Sequence, residues 1–286
     1  MEQAMLRKNL MSSQQTKNEE NPILVPLNSR QKEAVLTTEG PVLIIAGAGS
    51  GKTKALTHRV AHLIQKGVRP ENILAVTFTN KAAREMDNRI KILTKEIQKD
   101  GSGNPFIGTF HSFCVRILRN ESSKIGYTRF FTIFDDDDSI SLIKDILKEL
   151  NVNPKQFPAA MVMSVISGLK SELVTSADYE GKNSGELFPK TIYAVFELYE
   201  KRLKQSNALD FDGLITKTVL LFQSHPDVLE KYQNRFRYIH IDEYQDTNTA
   251  QYELSKLLAA KFKNIFVIGD DAQSIYSWRN ADFRNI

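Results

Sequence analysis

The 286-residue chain is 41% hydrophobic, 25% charged and 9% aromatic, an ordinary globular composition with enough apolar material for a core. Its 14 glycines and 9 prolines exclude a collagenous or low-complexity chain, and one cysteine excludes a disulfide framework or a cysteine-based zinc site. The net charge of +4 permits a nucleic-acid partner without arguing for one, because a patch matters more than a sum. No stretch approaches the roughly 20 apolar residues that cross a bilayer, so no membrane partner is expected. The N-terminus has no apolar signal core, and a single thiol suits a reducing compartment, so the expected location is cytoplasmic.

Residues 1–21 are polar and rich in Gln, Asn, Glu and Ser, and read as a mobile tail. Order is expected from about Pro22. Val42 to Ala46 is a short apolar run bounded by Gly40-Pro41 and Gly47, which suits a strand buried on both faces. The next segment places Leu56, Val60, Leu63 and Ile64 on one helical face and stops at Gly67. Ile73 to Thr77, Tyr238 to Asp242 and Ile265 to Ile268 read as further buried strands. Strands alternating with helices predict an α/β fold with a parallel sheet covered on both faces. From about 108 to 230 the pattern is mostly helical. Ile140, Ile143, Ile146 and Leu147 share one face, and Ile192, Val195, Phe196, Tyr199 and Leu203 share another. A helical block thus interrupts the α/β lobe. The expected division is 22–107 with 231–286 for the lobe and 108–230 for the insertion.

Ala46-Gly47-Ala48-Gly49-Ser50-Gly51-Lys52-Thr53 follows a strand and opens a helix, the context of a phosphate-binding loop. Small residues let backbone N–H groups curl around an anion, and the helix N-terminus adds positive potential. Lys52 is placed to reach the β- and γ-phosphates of ATP and Thr53 to ligate Mg²⁺. The strict pattern has glycine where this chain has Ala46. The strand ending at Asp242-Glu243 supplies a carboxylate for the metal and a second to orient and deprotonate water. An acidic helix cap is the plainer reading of that pair taken alone. Lys52 and Asp242 are about 190 residues apart, and the helical block accounts for the gap as an insertion within one sheet.

Further segments carry a resemblance. Leu27-Asn28-Ser29-Arg30-Gln31, Thr77 to Met86, Gly108-Thr109-Phe110-His111-Ser112-Phe113, Leu209 to Leu214, Asp242 to Asn248 and Gly269 to Arg279 occur in this order. Together they resemble the motifs of UvrD/PcrA/Rep-like superfamily one DNA helicases. The resemblance implies a RecA-like P-loop NTPase lobe with a helical inserted subdomain. It also implies a motor that hydrolyses ATP with Mg²⁺ and moves 3′ to 5′ on single-stranded DNA. Ala272 departs from the aspartate usual in the last motif. Family members continue into a second RecA-like lobe whose arginines reach the γ-phosphate, and this chain ends before those motifs. It therefore reads as the N-terminal portion of such a helicase, poorly active alone.

Carried over residue by residue, Gln31 contacts the adenine edge, Gln273 senses the γ-phosphate and Arg279 joins that linkage. A capping box with Asn28 is the alternative for Gln31. A loop hydrogen bond and a surface arginine are the alternatives for Gln273 and Arg279. Phe78, Tyr276 and Trp278 are candidates for stacking on DNA bases, with core packing as the alternative. Thr79, Asn80 and His111 are candidates for backbone contacts, although a structural histidine explains His111 as well. Asp135 to Asp138 reads as helix capping rather than a metal site. Cys114 reads as a core residue, and Arg84, Arg89, Lys91 and Lys95 as a solvated helix face. Two other functions stay open: a binding module for single strands or a protein without catalysis, and part of a helicase–nuclease subunit.

Overall fold

The computed structural model describes residues 21–97, 103–180 and 184–270. Gln273, Tyr276, Trp278, Arg279, Ala272 and the first twenty residues lie outside them.

Five parallel strands form the central sheet: β1 (Val42–Ile45), β2 (Ile73–Thr77), β3 (Phe106–Thr109), β6 (Tyr238–Ile241) and β7 (Ile265–Gly269), in the spatial order β1-β7-β6-β2-β3. Side chains alternate across a strand, so each strand feeds two cores. Ile73 and Ala75 of β2 meet Leu56, Val60, Leu63, Met86 and Ile90 from α2 (Lys52–Gln65) and α3 (Asn80–Thr94). Leu74 and Val76 point the other way. They join Phe113, Ile117, Leu214, Phe222, Tyr232 and Leu254 from α4 (Phe110–Glu121), α8 (Phe211–Ser224), α9 (Pro226–Arg235) and α10 (Thr249–Ala259). The sheet is thus parallel, with helices on both faces, as the alternating pattern predicts. All five residues of β2 are buried, which is why that strand reads as an unbroken apolar run.

A third core lies in the middle of the chain. It gathers Ile143, Ile146 and Leu147 of α5 (Asp136–Glu149), Val162 and Ile166 of α6 (Ala159–Ser171) and Ile192, Val195, Phe196, Tyr199 and Leu203 of α7 (Leu187–Gln205). A small parallel pair, β4 (Thr132–Phe134) with β5 (Ala208–Asp210), connects it to the lobe. The stretch 108–230 therefore serves one face of the sheet and the helical core. Its ends, α4 and α8–α9, bury their apolar faces against the sheet, and its middle packs on itself.

Before β1, α1 (Ser29–Leu36) is capped by Asn28 and fastened at its far end by a buried arginine. Arg59, 1% exposed, donates to the carbonyls of Ala34 at 2.7 Å, Thr37, and Thr38 at 3.0 Å. Its guanidinium lies 4.5 Å from the Phe266 ring centre. Burial pulls its pKa down to about 10, with Glu39 opposing. Cys114 is buried, and the charged side chains of α3 pair along its surface, Arg89 with Glu85 and Lys91 with Asp87.

Candidate nucleotide site and strand-facing surface

The loop from Ala46 to Gly51 leaves the C-terminal end of β1, where the sheet crevice of an α/β fold takes its ligand. Ala46 N donates to Gly269 O at 3.0 Å, which seats the loop beside β7. Gly49 and Gly51 have φ of 73° and 81°, a left-handed backbone that glycine adopts without strain. At Gly51 space is also tight: a Cβ there would lie 2.6 Å from Gln31 Nε2. Gly51 caps α2, so the loop feeds directly into the helix N-terminus.

Lys52 and Thr53 turn from that first helical turn toward the ends of β7 and β6. Lys52 Nζ donates to Ala46 O at 2.8 Å and to Asp270 Oδ2 at 2.9 Å. Thr53 Oγ1 donates to Asp242 Oδ2 at 3.1 Å. Asp242 is 3% exposed; burial and then neighbouring Glu243 push its carboxyl up to about 6. A buried carboxylate beside a hydroxyl is a hard oxygen pair that a divalent cation neutralises. Magnesium takes one or two protein oxygens and fills its other positions with phosphate and water, so this pair fits it. Among the described residues no cluster of three or more histidine, cysteine or acidic ligands offers a self-sufficient metal site.

Glu243 sits in the left-handed region at φ 54°, an uncommon conformation for a side-chain-bearing residue and one that recurs at functional turns. Its Oε2 accepts from Gln245 Nε2 at 2.9 Å, and Gln245 Oε1 accepts from Asp270 N at 2.9 Å. Gln245 and Asp270 thus join the Lys52 side of the site to the Glu243 side. Both residues lie within the motifs, and their bridging task is invisible in the sequence because it exists only when β6 and β7 are adjacent. Asp246 Oδ1 is buried with no hydrogen-bond partner, and burial followed by Glu243 raises its carboxyl to about 6.

Gln31 takes the capping-box alternative and also reaches the loop. Its side chain closes the capping box with Asn28, and its Nε2 donates to Ser50 O at 2.8 Å. The amide is therefore anchored to the phosphate loop.

The other candidates follow β2 and β3, at the opposite half of the sheet. Phe78 is half-buried and meets Phe110 edge-on at 5.8 Å. Thr79 caps α3 by accepting from Ala82 N at 3.1 Å, and Asn80 is exposed. His111 is half-buried and meets Phe211 at 5.6 Å with an 83° interplanar angle. Phe211, 45% exposed, lies in the Leu209 to Leu214 segment and joins these candidates through its contact with His111. Its signal is an apolar ring directly after a buried helix cap, legible only once exposure is known. Asp135 caps α5 with Asp138 completing the box, as the capping reading predicts.

A parallel sheet with a glycine loop, a helix N-terminus, a lysine and an acidic strand end along one edge defines a RecA-like P-loop nucleotide-binding lobe. Residues 27–286 match the model of the UvrD/REP helicase N-terminal domain, and the chain belongs to that family. It is 53% identical over 267 residues to ATP-dependent DNA helicase PcrA of Staphylococcus aureus, covering 93% of this chain and 36% of that protein. Identity to the PcrA of Staphylococcus epidermidis is 52% with the same coverage. The chain thus spans little more than a third of the length of these curated relatives. No helix among the described residues is long and apolar enough to cross a membrane.

Proposed function

We propose that this chain is the ATP-binding portion of an ATP-driven DNA motor that moves 3′ to 5′ along a single strand. The observation that carries the reading is the pairing of Thr53 with Asp242 at 3.1 Å, across a separation of 189 residues, beside Lys52. The family and the PcrA relatives support the same assignment.

In this reading the N–H groups of Gly47 to Gly51 and the Lys52 ammonium hold the β- and γ-phosphates, and Gln31 contacts the adenine edge. Thr53 and Asp242 would hold Mg²⁺, which would supply charge neutralisation at the phosphates. Glu243, oriented by Gln245, takes the proton of the attacking water. Gln273 and Arg279 sense the γ-phosphate. Phe78, Phe211, Tyr276 and Trp278 stack on bases, which suits a motor indifferent to sequence, and Thr79, Asn80 and His111 touch the backbone. A second RecA-like lobe supplies the arginines that complete transition-state stabilisation.

The test is a titration of a fluorescent ATP analogue with Mg²⁺ into the wild-type chain and Lys52→Ala. The expected result is loss of binding in a variant that stays folded, melting somewhat lower because Asp270 loses its Lys52 partner. Equal affinities would remove the loop assignment. Strand binding without any nucleotide binding would favour the non-catalytic module instead.

A further inference from the structure

The residue that leads into Phe211 is held by a buried network of charges from the inserted helices. Asp210 caps α8: its Oδ1 accepts from Gly213 N at 2.8 Å. The same carboxylate takes Lys170 Nζ of α6 at 3.0 and 2.8 Å and Tyr199 OH of α7 at 2.9 Å. Lys170 also meets Glu200 at 2.5 Å, and Glu200 meets Lys217 of α8 at 2.7 Å. Lys170 is 3% exposed. Burial alone would pull its ammonium down, but Asp210 and Glu200 outweigh burial and hold it above the ordinary lysine value.

Such a network is poor value as stabilisation, since apolar residues of the same volume often stabilise as well or better. Its geometry shows another use. An apolar patch tolerates rotation, whereas a bidentate lysine–carboxylate contact with a tyrosine hydroxyl on the same oxygen fixes direction. The direction fixed here is that of the α8 N-terminus, whose first residue is Phe211. Thr216 Oγ1 donates to Lys170 O at 3.2 Å, a second tie between α6 and α8.

We infer that Lys170 is a positioning residue: through Asp210 it sets the exposed Phe211 ring, and with it the His111 contact, to receive a single strand. This rests on the strand-facing surface proposed above and extends it to the inserted helices, which then act as the support of that surface.

A double-mutant cycle tests it on this chain. A fluorescently labelled oligothymidylate is titrated into wild type, Lys170→Met, Phe211→Ala and the double variant, with the ATP analogue titrated in parallel. Each single change is expected to weaken strand binding about fivefold or more. The double variant should be no weaker than Phe211→Ala, and nucleotide affinity should stay within about twofold. Additive losses, an unchanged strand affinity in Lys170→Met, or a parallel fall in nucleotide affinity would each overturn the inference. Should Lys170→Met fail to melt cooperatively, Tyr199→Phe enters the same cycle, since it removes one hydrogen bond to Asp210 and no charge. Absence of strand binding by wild type, or no effect of Phe211→Ala, would overturn the surface reading itself and the inference with it.

Discussion

At the scale of single residues, the sheet imposes protonation states that the same side chains would not hold in water. His240 lies in β6 between the Leu74 carbonyl, 3.3 Å from Nδ1, and the Phe266 ring, 5.7 Å between centres. Burial pushes its imidazole down to about 3, and the Arg59 charge acts in the same direction. The folded value is below the unfolded one, so this contribution to stability is complete above the unfolded pKa near 6.5 and is lost as pH falls. Between pH 7 and pH 5 the loss amounts to about 2 kcal/mol, the slope approaching 1.36 kcal/mol per unit below the unfolded pKa. Urea unfolding of wild type and His240→Asn at pH 7 and pH 5 checks this. The variant should show the smaller drop, and identical drops would refute it. The sequence marks His240 as a polar residue inside an apolar run; that it stays neutral follows from the layers above and below.

At the scale of elements, local chemistry was the most legible. Asp135 accepts from Asp138 N at 2.9 Å, and Asp138 Oδ2 accepts from Asp135 N at 3.3 Å, so the DDDD run serves as a helix start. Asp135→Ala should cost about 1 kcal/mol in chemical denaturation, with nucleotide affinity unchanged; no measurable loss would show the cap to be dispensable. The helical faces of α2 and α7 are legible in the sequence because a 3.6-residue period persists over several turns. Three strands are not legible in this way. β3 is four residues long, half-buried over its first two and interrupted by Gly108, and β4 and β5 have three residues each. Runs that short carry no period, and only pairing with a distant partner makes them strands.

At the scale of the whole molecule, the strand order divides the work. The phosphate loop, Asp270 and Asp242 follow β1, β7 and β6, whereas Phe78 and His111 follow β2 and β3. Nucleotide and strand candidates thus share one edge of one sheet, with β2 and β6 as neighbours between them. In the proposed motor a second lobe closes over this edge. The 286-residue chain should therefore bind the ATP analogue yet release phosphate slowly, with little stimulation by oligothymidylate and no duplex unwinding. Steady-state phosphate release with and without DNA measures this, and robust DNA-stimulated turnover would show the lobe to be sufficient by itself.

The phosphate loop, the acidic pair and the parallel α/β character were determined by the sequence alone, because each rests on residues within a few positions of one another or on a short-range hydrophobic period. Tertiary structure decided the rest. It made Gln245 and Asp270 the link between Lys52 and Glu243, buried Lys170 against Asp210, and left Phe211 outside. Those outcomes depend on which strands lie side by side and which helix ends meet, and contacts between residues far apart in the chain leave no periodic trace in it.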